Sequence, residues 1–231
     1  MMSENKPSAE LIMELLQEKA LLKKKVYEVT VGAFNDLKSS LKEIQADLKE
    51  NLKKIKGDVD LGYKDTGDFE AEFNIADDTI VFILHSNVFT FDHDHRIWKL
   101  SYVKEHPENA FCGKIYVYNF LSDSIRFNRV NDTGYLIARI FVNHEGHFFV
   151  EGKRQLGFLY NNFETDVMDK SKMRSILEST ILYSLDFELF TPPYEQVQQI
   201  TVQDIISASS RINIATGKRL GFRFQSDSDN I

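Results

Sequence analysis

The chain has 231 residues, 28 Lys+Arg against 35 Asp+Glu for a formal net charge of −7, 42% hydrophobic residues, and a single cysteine, Cys112. That length buries one large core or two modest ones. The acidic balance speaks against nucleic acid or an anionic membrane as partner, because both need a basic surface. One cysteine excludes an internal disulfide framework and points to a reducing compartment. No run approaches the roughly 18 apolar residues of a membrane span, and Met1 to Pro7 carries no signal-type apolar stretch. The expectation is a soluble, cytoplasmic protein with no cofactor.

The aromatic residues divide the chain. Only Tyr27 and Phe34, two of 28 aromatics, precede Gly57. Residues 1–56 hold 11 Lys against 9 acids, net +2, which leaves −9 for residues 57–231. Aromatics suit half-buried pleated surfaces and are scarce on solvated helices. The expected organisation is an N-terminal helical oligomerisation arm, 1–56, and a β-rich body, 57–231.

Residues 8–56 read as helix. Ser8 is the expected N-cap, Glu10 falls in the first turn, and Lys53, Lys54 and Lys56 crowd the last turn before Gly57. Leu11, Leu22, Ala33, Ile44 and Ile55 recur every eleven residues, and Leu15, Val26, Leu37 and Leu48 form a second row with the same period. Eleven residues over three turns is about 3.67 per turn, so the seam runs nearly straight along a coiled-coil-like helix. A heptad fits Phe34 to Leu48 but meets Lys23, Thr30 and Asn51 outside that window. The phase runs unbroken through Val29-Thr30-Val31-Gly32, which favours one continuous helix; a hairpin folded back on the β body is the alternative. A continuous helix would be about 74 Å long, whereas a body of this size is about 40 Å across. The seam of Leu11, Leu15, Leu22, Val26, Leu37, Ile44, Leu48 and Ile55 is therefore the expected oligomer interface. Leu11 to Leu22 is apolar on a wider arc and should be covered on more than one side.

After a Gly/Asp loop (57–67), strand patterns are expected at 68–76, 78–85, 87–93, 113–121, 124–130, 134–142, 147–152 and 155–160. Short turns between the later ones join antiparallel neighbours into a meander. Residues 94–112 read as a longer connection. Residues 169–189 carry helical periodicity (Met173, Ile176, Leu177, Thr180, Ile181, Ser184) and stop at Pro192-Pro193. A short helix near 201–209, a hairpin of 212–215 with 219–224 (212–224 overall) and an acidic tail from Gln225 complete the reading. The fold class is α+β: a long N-terminal helix, then an antiparallel β-meander closed as a barrel or sandwich, with a C-terminal helix.

Chemistry-bearing patterns are sparse. Asp92-His93-Asp94-His95 puts His93 and His95 on one face if the segment is a strand. Joined by His144 and His147, they are the candidate ligands of a zinc or iron site in a metal-dependent enzyme. Gly152-Lys153-Arg154-Gln155-Leu156-Gly157-Phe158 is echoed by Gly217-Lys218-Arg219-Leu220-Gly221-Phe222. Basic pairs on glycine turns offer N–H groups and cations to an anion, so Lys153, Arg154, Lys218 and Arg219 are the candidate residues of a small-molecule or phospho-ligand module. No GxSxG elbow occurs, and Cys112 beside a strand start reads as a buried thiol. The leading reading is a non-catalytic homo-oligomer, a protein–protein interaction or scaffold component whose partners are itself and another protein, not nucleic acid or membrane.

Overall fold

The computed structural model describes residues 7–54, 59–187, 194–199 and 201–203. Helix α1 (Ser8–Leu15), one wider π-type turn (Leu16–Ala20) and helix α2 (Leu21–Leu52) follow one another without a break. They form a rod about 68 Å long, not a hairpin. Pro7, not Ser8, stands at the N-cap, and its carbonyl accepts from the N–H of Glu10 at 2.9 Å. Its ring fixes φ near the helical value and it has no amide proton to leave unpaired.

Six strands follow: β1 (Leu61–Gly67), β2 (Glu70–Ile75), β3 (Asp78–Leu84), β4 (Cys112–Leu121), β5 (Tyr135–Asn143) and β6 (Phe148–Gly152). They pair antiparallel in the order β1-β2-β3-β4-β5-β6. The first and last strands do not pair, so the meander is an open sheet. Short helices interrupt it: α3 (Ser101–Glu105), α4 (Ser122–Arg126) and α5 (Gln155–Leu159). Helix α6 (Lys170–Leu185) and a single turn, α7 (Tyr194–Val197), follow among the described residues.

Four strand assignments differ from the sequence pattern. β1 lies within the expected loop, because LGYKDTG has only Leu61 and Tyr63 to turn inward, enough for an edge strand but not for an alternation signal. Residues 87–93 touch the sheet only through a Phe89–Cys112 bridge. Residues 124–130 are helix and turn, since β3 and β5 already occupy both edges of β4. Residues 155–160 turn into α5, because a Cβ on Gly157 would stand 2.3 Å from the carbonyl oxygen of Gly152. That close approach is open only to glycine, and it brings the chain back on itself. The expected helix at 201–209 lies mostly outside the described residues, and the 212–224 hairpin wholly so.

One face of the sheet carries the main core. Phe73, Ile80, Phe82, Ile115, Val117 and Ile140 meet α2 through Phe34, Leu37, Leu41 and Ile44, and α6 through Met173, Ile176, Leu177 and Ile181. Helices α2 and α6 lie side by side, tied by Glu43–Lys170 and Asp47–Arg174 ion pairs at 2.5 and 2.7 Å. On the other face, residues 91–111 build a smaller cluster in which Ile97, Val103 and Ala110 pack on Phe141 and Phe149.

Contact between α2 and the sheet depends on one glycine. A Cβ on Gly113 would fall 2.0 Å from the Thr30 hydroxyl oxygen and within 2.8 Å of the rest of that side chain. Thr30 is fully buried and donates its hydroxyl to the Val26 carbonyl at 2.7 Å. The helix is seated in the slot that glycine leaves in β4, and Val26 is the first buried residue of the whole rod.

Candidate functional site

The same helix has two fates. From Val26 to Ile44 its apolar stripe is sealed against the chain's own sheet, with Val26, Leu37 and Leu41 at 0% exposure. Upstream of Val26 no side chain from Ser8 to Ala20 is buried. Leu11, Ile12, Met13, Leu15, Leu16 and Leu21 are each 46–62% exposed. Among the described residues nothing covers this arm, which is about 27 Å long from Ser8 to Lys25. Six large apolar side chains on eleven consecutive residues, Leu11 to Leu21, are far from the scattered single exposures of an ordinary surface. Their exposure follows from geometry: the sheet lies under α2 only from Val26 onward, and the rod runs on past the body's edge.

This arrangement divides the seam expected from the sequence. Leu11 and Leu15 are exposed and Leu22 is half-buried. Leu37 and Ile44 are covered by the chain's own strands and by α6, Leu48 packs half-buried at the edge of the same core, and Val26 is fully buried within its own chain. Those four are therefore not available to another chain; the eleven-residue period set their phase correctly but carried no information about what they would meet. Ile55 lies outside the described residues.

The histidines do not assemble. The His95 ring stacks on Phe91 with centroids 4.5 Å apart and sets Nε2 3.2 Å from Glu151. His93 is exposed beside Trp98. His147 stacks on Tyr102 and places Nδ1 2.9 Å from the Phe163 carbonyl. His144 is half-buried, and burial holds its ring below the usual imidazole range. Among the described residues no three His, Cys, Asp or Glu side chains converge as metal ligands. The four-histidine centre is not formed, because 87–93 is not a strand and each ring is turned to its own neighbours.

The basic turn is also committed locally. Arg154, at φ 49°, pairs with Asp186 and lies over the Tyr183 ring at 5.8 Å. Lys153 is exposed, while Lys218 and Arg219 lie outside the described residues. Cys112 is fully buried, and burial pushes its thiol up, away from the thiolate form a nucleophile needs.

One polar network escaped the sequence reading. Tyr102 donates its hydroxyl to Glu145 and accepts from the Asn143 amide at 2.8 Å. The Asn143 side-chain oxygen Oδ1 accepts from the backbone N–H groups of Glu145 and His147 at 3.0 and 2.9 Å. Burial and the Glu145 partner push the Tyr102 hydroxyl up, and the donated hydrogen bond holds the Glu145 carboxyl down. These groups lie 41 and 43 residues apart in sequence, so no local spacing marks them. Together they clamp the β5–β6 turn to α3. On the rest of that face, half-buried Tyr116 and Tyr118 stack at 5.7 Å, with Arg139 paired opposite Tyr116 on β5.

Fold and site together define an α+β protein: an open six-stranded meander under two helices, one of which extends beyond the body as an apolar arm. Compared with models of known protein families, with curated proteins and with solved structures, the chain matches none.

Proposed function

We propose that the protein is a non-catalytic homo-oligomeric component, an interaction or scaffold protein that assembles through the first 18 residues of its helical rod. The observation that carries this reading is the exposure of Leu11, Ile12, Met13, Leu15, Leu16 and Leu21 on a helix that is otherwise built into the core. Apolar area removed from water is worth about 25 cal/mol per Å², so a second apolar helix laid on the arm gains several kcal/mol before association costs are subtracted. The body then stands clear of the joint, and its half-buried Tyr116–Tyr118 face is the surface this reading leaves for another protein.

Light scattering at micromolar concentration tests the reading. The full chain is expected to run as an oligomer. A variant with Leu11→Gln, Leu15→Gln and Leu21→Gln is expected to run as a monomer that still unfolds cooperatively, without the concentration dependence of the assembled chain. A monomeric full-length protein would overturn the proposal.

A further inference from the structure

The charges on the arm are sorted along its length. Residues 8–18 carry Glu10, Glu14 and Glu18 and no basic residue; residues 19–25 carry Lys19, Lys23, Lys24 and Lys25 and no acid. A helix ordered in this way cannot lie parallel to a copy of itself without setting carboxylates against carboxylates and ammonium groups against ammonium groups. Turned end for end, each acidic half meets the partner's basic half. The macrodipoles of the two helices also oppose in that orientation.

The apolar residues obey the same reversal. About a pivot between Leu16 and Gln17, Leu11 comes opposite Leu22, Ile12 opposite Leu21, and Glu10 opposite Lys23. The pivot falls in the π-type turn Leu16–Ala20, where the backbone is locally widened. Ser8 then comes opposite Lys25, and the next residue, Val26, is the first buried in the body. The two arms therefore overlap over their whole exposed length and stop where each partner's core begins.

Resting on the assembly reading above, we infer that the partner of the arm is the arm of a second copy, packed antiparallel in a two-fold symmetric dimer with Ser8 of each chain beside Lys25 of the other. The interface is isologous, so it closes at two chains and does not propagate. The bodies lie at opposite ends of the joint, about 27 Å apart along its axis.

Disulfide trapping on the full-length chain separates this geometry from the alternatives. Ser8→Cys protein is mixed with Lys25→Cys protein under mild oxidation; both positions are exposed, and Cys112 is buried and inert. The expected product is the mixed 8–25 disulfide, with little 8–8 or 25–25 product. Predominant 8–8 and 25–25 products, or a trimer or higher species by light scattering, would overturn the antiparallel dimer while leaving assembly through the arm intact. A monomeric chain would overturn both. As a second measurement, Glu10→Lys/Glu14→Lys/Glu18→Lys is expected to weaken the dimer about tenfold or more at low salt, through the loss of several exposed ion pairs. Adding Lys19→Glu/Lys23→Glu/Lys24→Glu/Lys25→Glu in the same chain is expected to restore it. A parallel pair would be little changed by the first set, and that result would also overturn the inference.

Discussion

Leu15 and Leu37 belong to the same row of the same helix, two eleven-residue steps apart, yet Leu15 is 50% exposed and Leu37 is fully buried. Residue type and phase are equal at the two positions. The difference is made by β4 and β1 arriving beneath one and not the other. An apolar period on a helix is thus a statement that something must cover that face; the identity of the cover is a separate fact, supplied along one stretch by the chain itself and proposed along the other to be a second chain.

The contrast can be broken most forcefully at its inner half. Leu37→Ala should cost about 2–5 kcal/mol of stability by chemical denaturation, as deletion of fully buried leucine atoms does. Closing the slot should be nearly as damaging: Gly113→Ala places a methyl group on Thr30 and should cost about 1–3 kcal/mol. Combining it with Thr30→Ala should recover part of the loss, because the three nearest atoms to the new methyl group all belong to that side chain. Leu15→Ala, by contrast, should change the unfolding free energy of dilute protein by less than about 0.5 kcal/mol, while sedimentation shows weaker assembly.

Two titrating groups sharpen the picture of the far edge of the body. His144 has a folded value below the usual 6.5 because burial disfavours the charged ring. Its contribution is present in full above that pH and is lost as the pH falls through the folded value. Glu145, held below the usual 4.5 by the Tyr102 hydroxyl, adds a second loss at lower pH with the same sign. Thermal melts should therefore fall from about pH 6.5 downward, and His144→Gln should flatten the upper part of that decline. A modest gain is expected at Ala76, which occupies φ 50° in the β2–β3 turn. Ala76→Gly should raise stability by roughly 0.5–1 kcal/mol, since a left-handed residue with a Cβ costs about that much or more.

How much was legible depended on whether the signal was local. The inward face of α6 could be read from the chain because Met173, Ile176, Leu177, Thr180, Ile181 and Ser184 repeat at helical spacing, and all six are buried. β3 could be read because Ile80 to Leu84 is an unbroken apolar run. β1 could not, since an edge strand buries little and its sequence resembles a loop. The turn at 155–160 could not, because Gly157 is needed for its approach to Gly152, a contact that any glycine in a strand pattern conceals. Among site residues, Leu11 and Leu15 were visible as apolar positions on a polar chain segment. Tyr102 and Glu145 were not, since their partnership is made by the return of the chain between β5 and β6.

The residue order by itself determined the long helix, its eleven-residue apolar phase, the antiparallel meander, the late helix and the sorted charges of residues 8–25, because each of these is a property of near neighbours along the chain. Only the tertiary structure decided that the sheet stays open at six strands, that the four histidines remain apart, and that the seam divides at Val26. The physical reason is the same in each case. Which surfaces meet depends on close approaches such as Gly113 on Thr30, where residues more than 80 positions apart share a space that no spacing rule can measure.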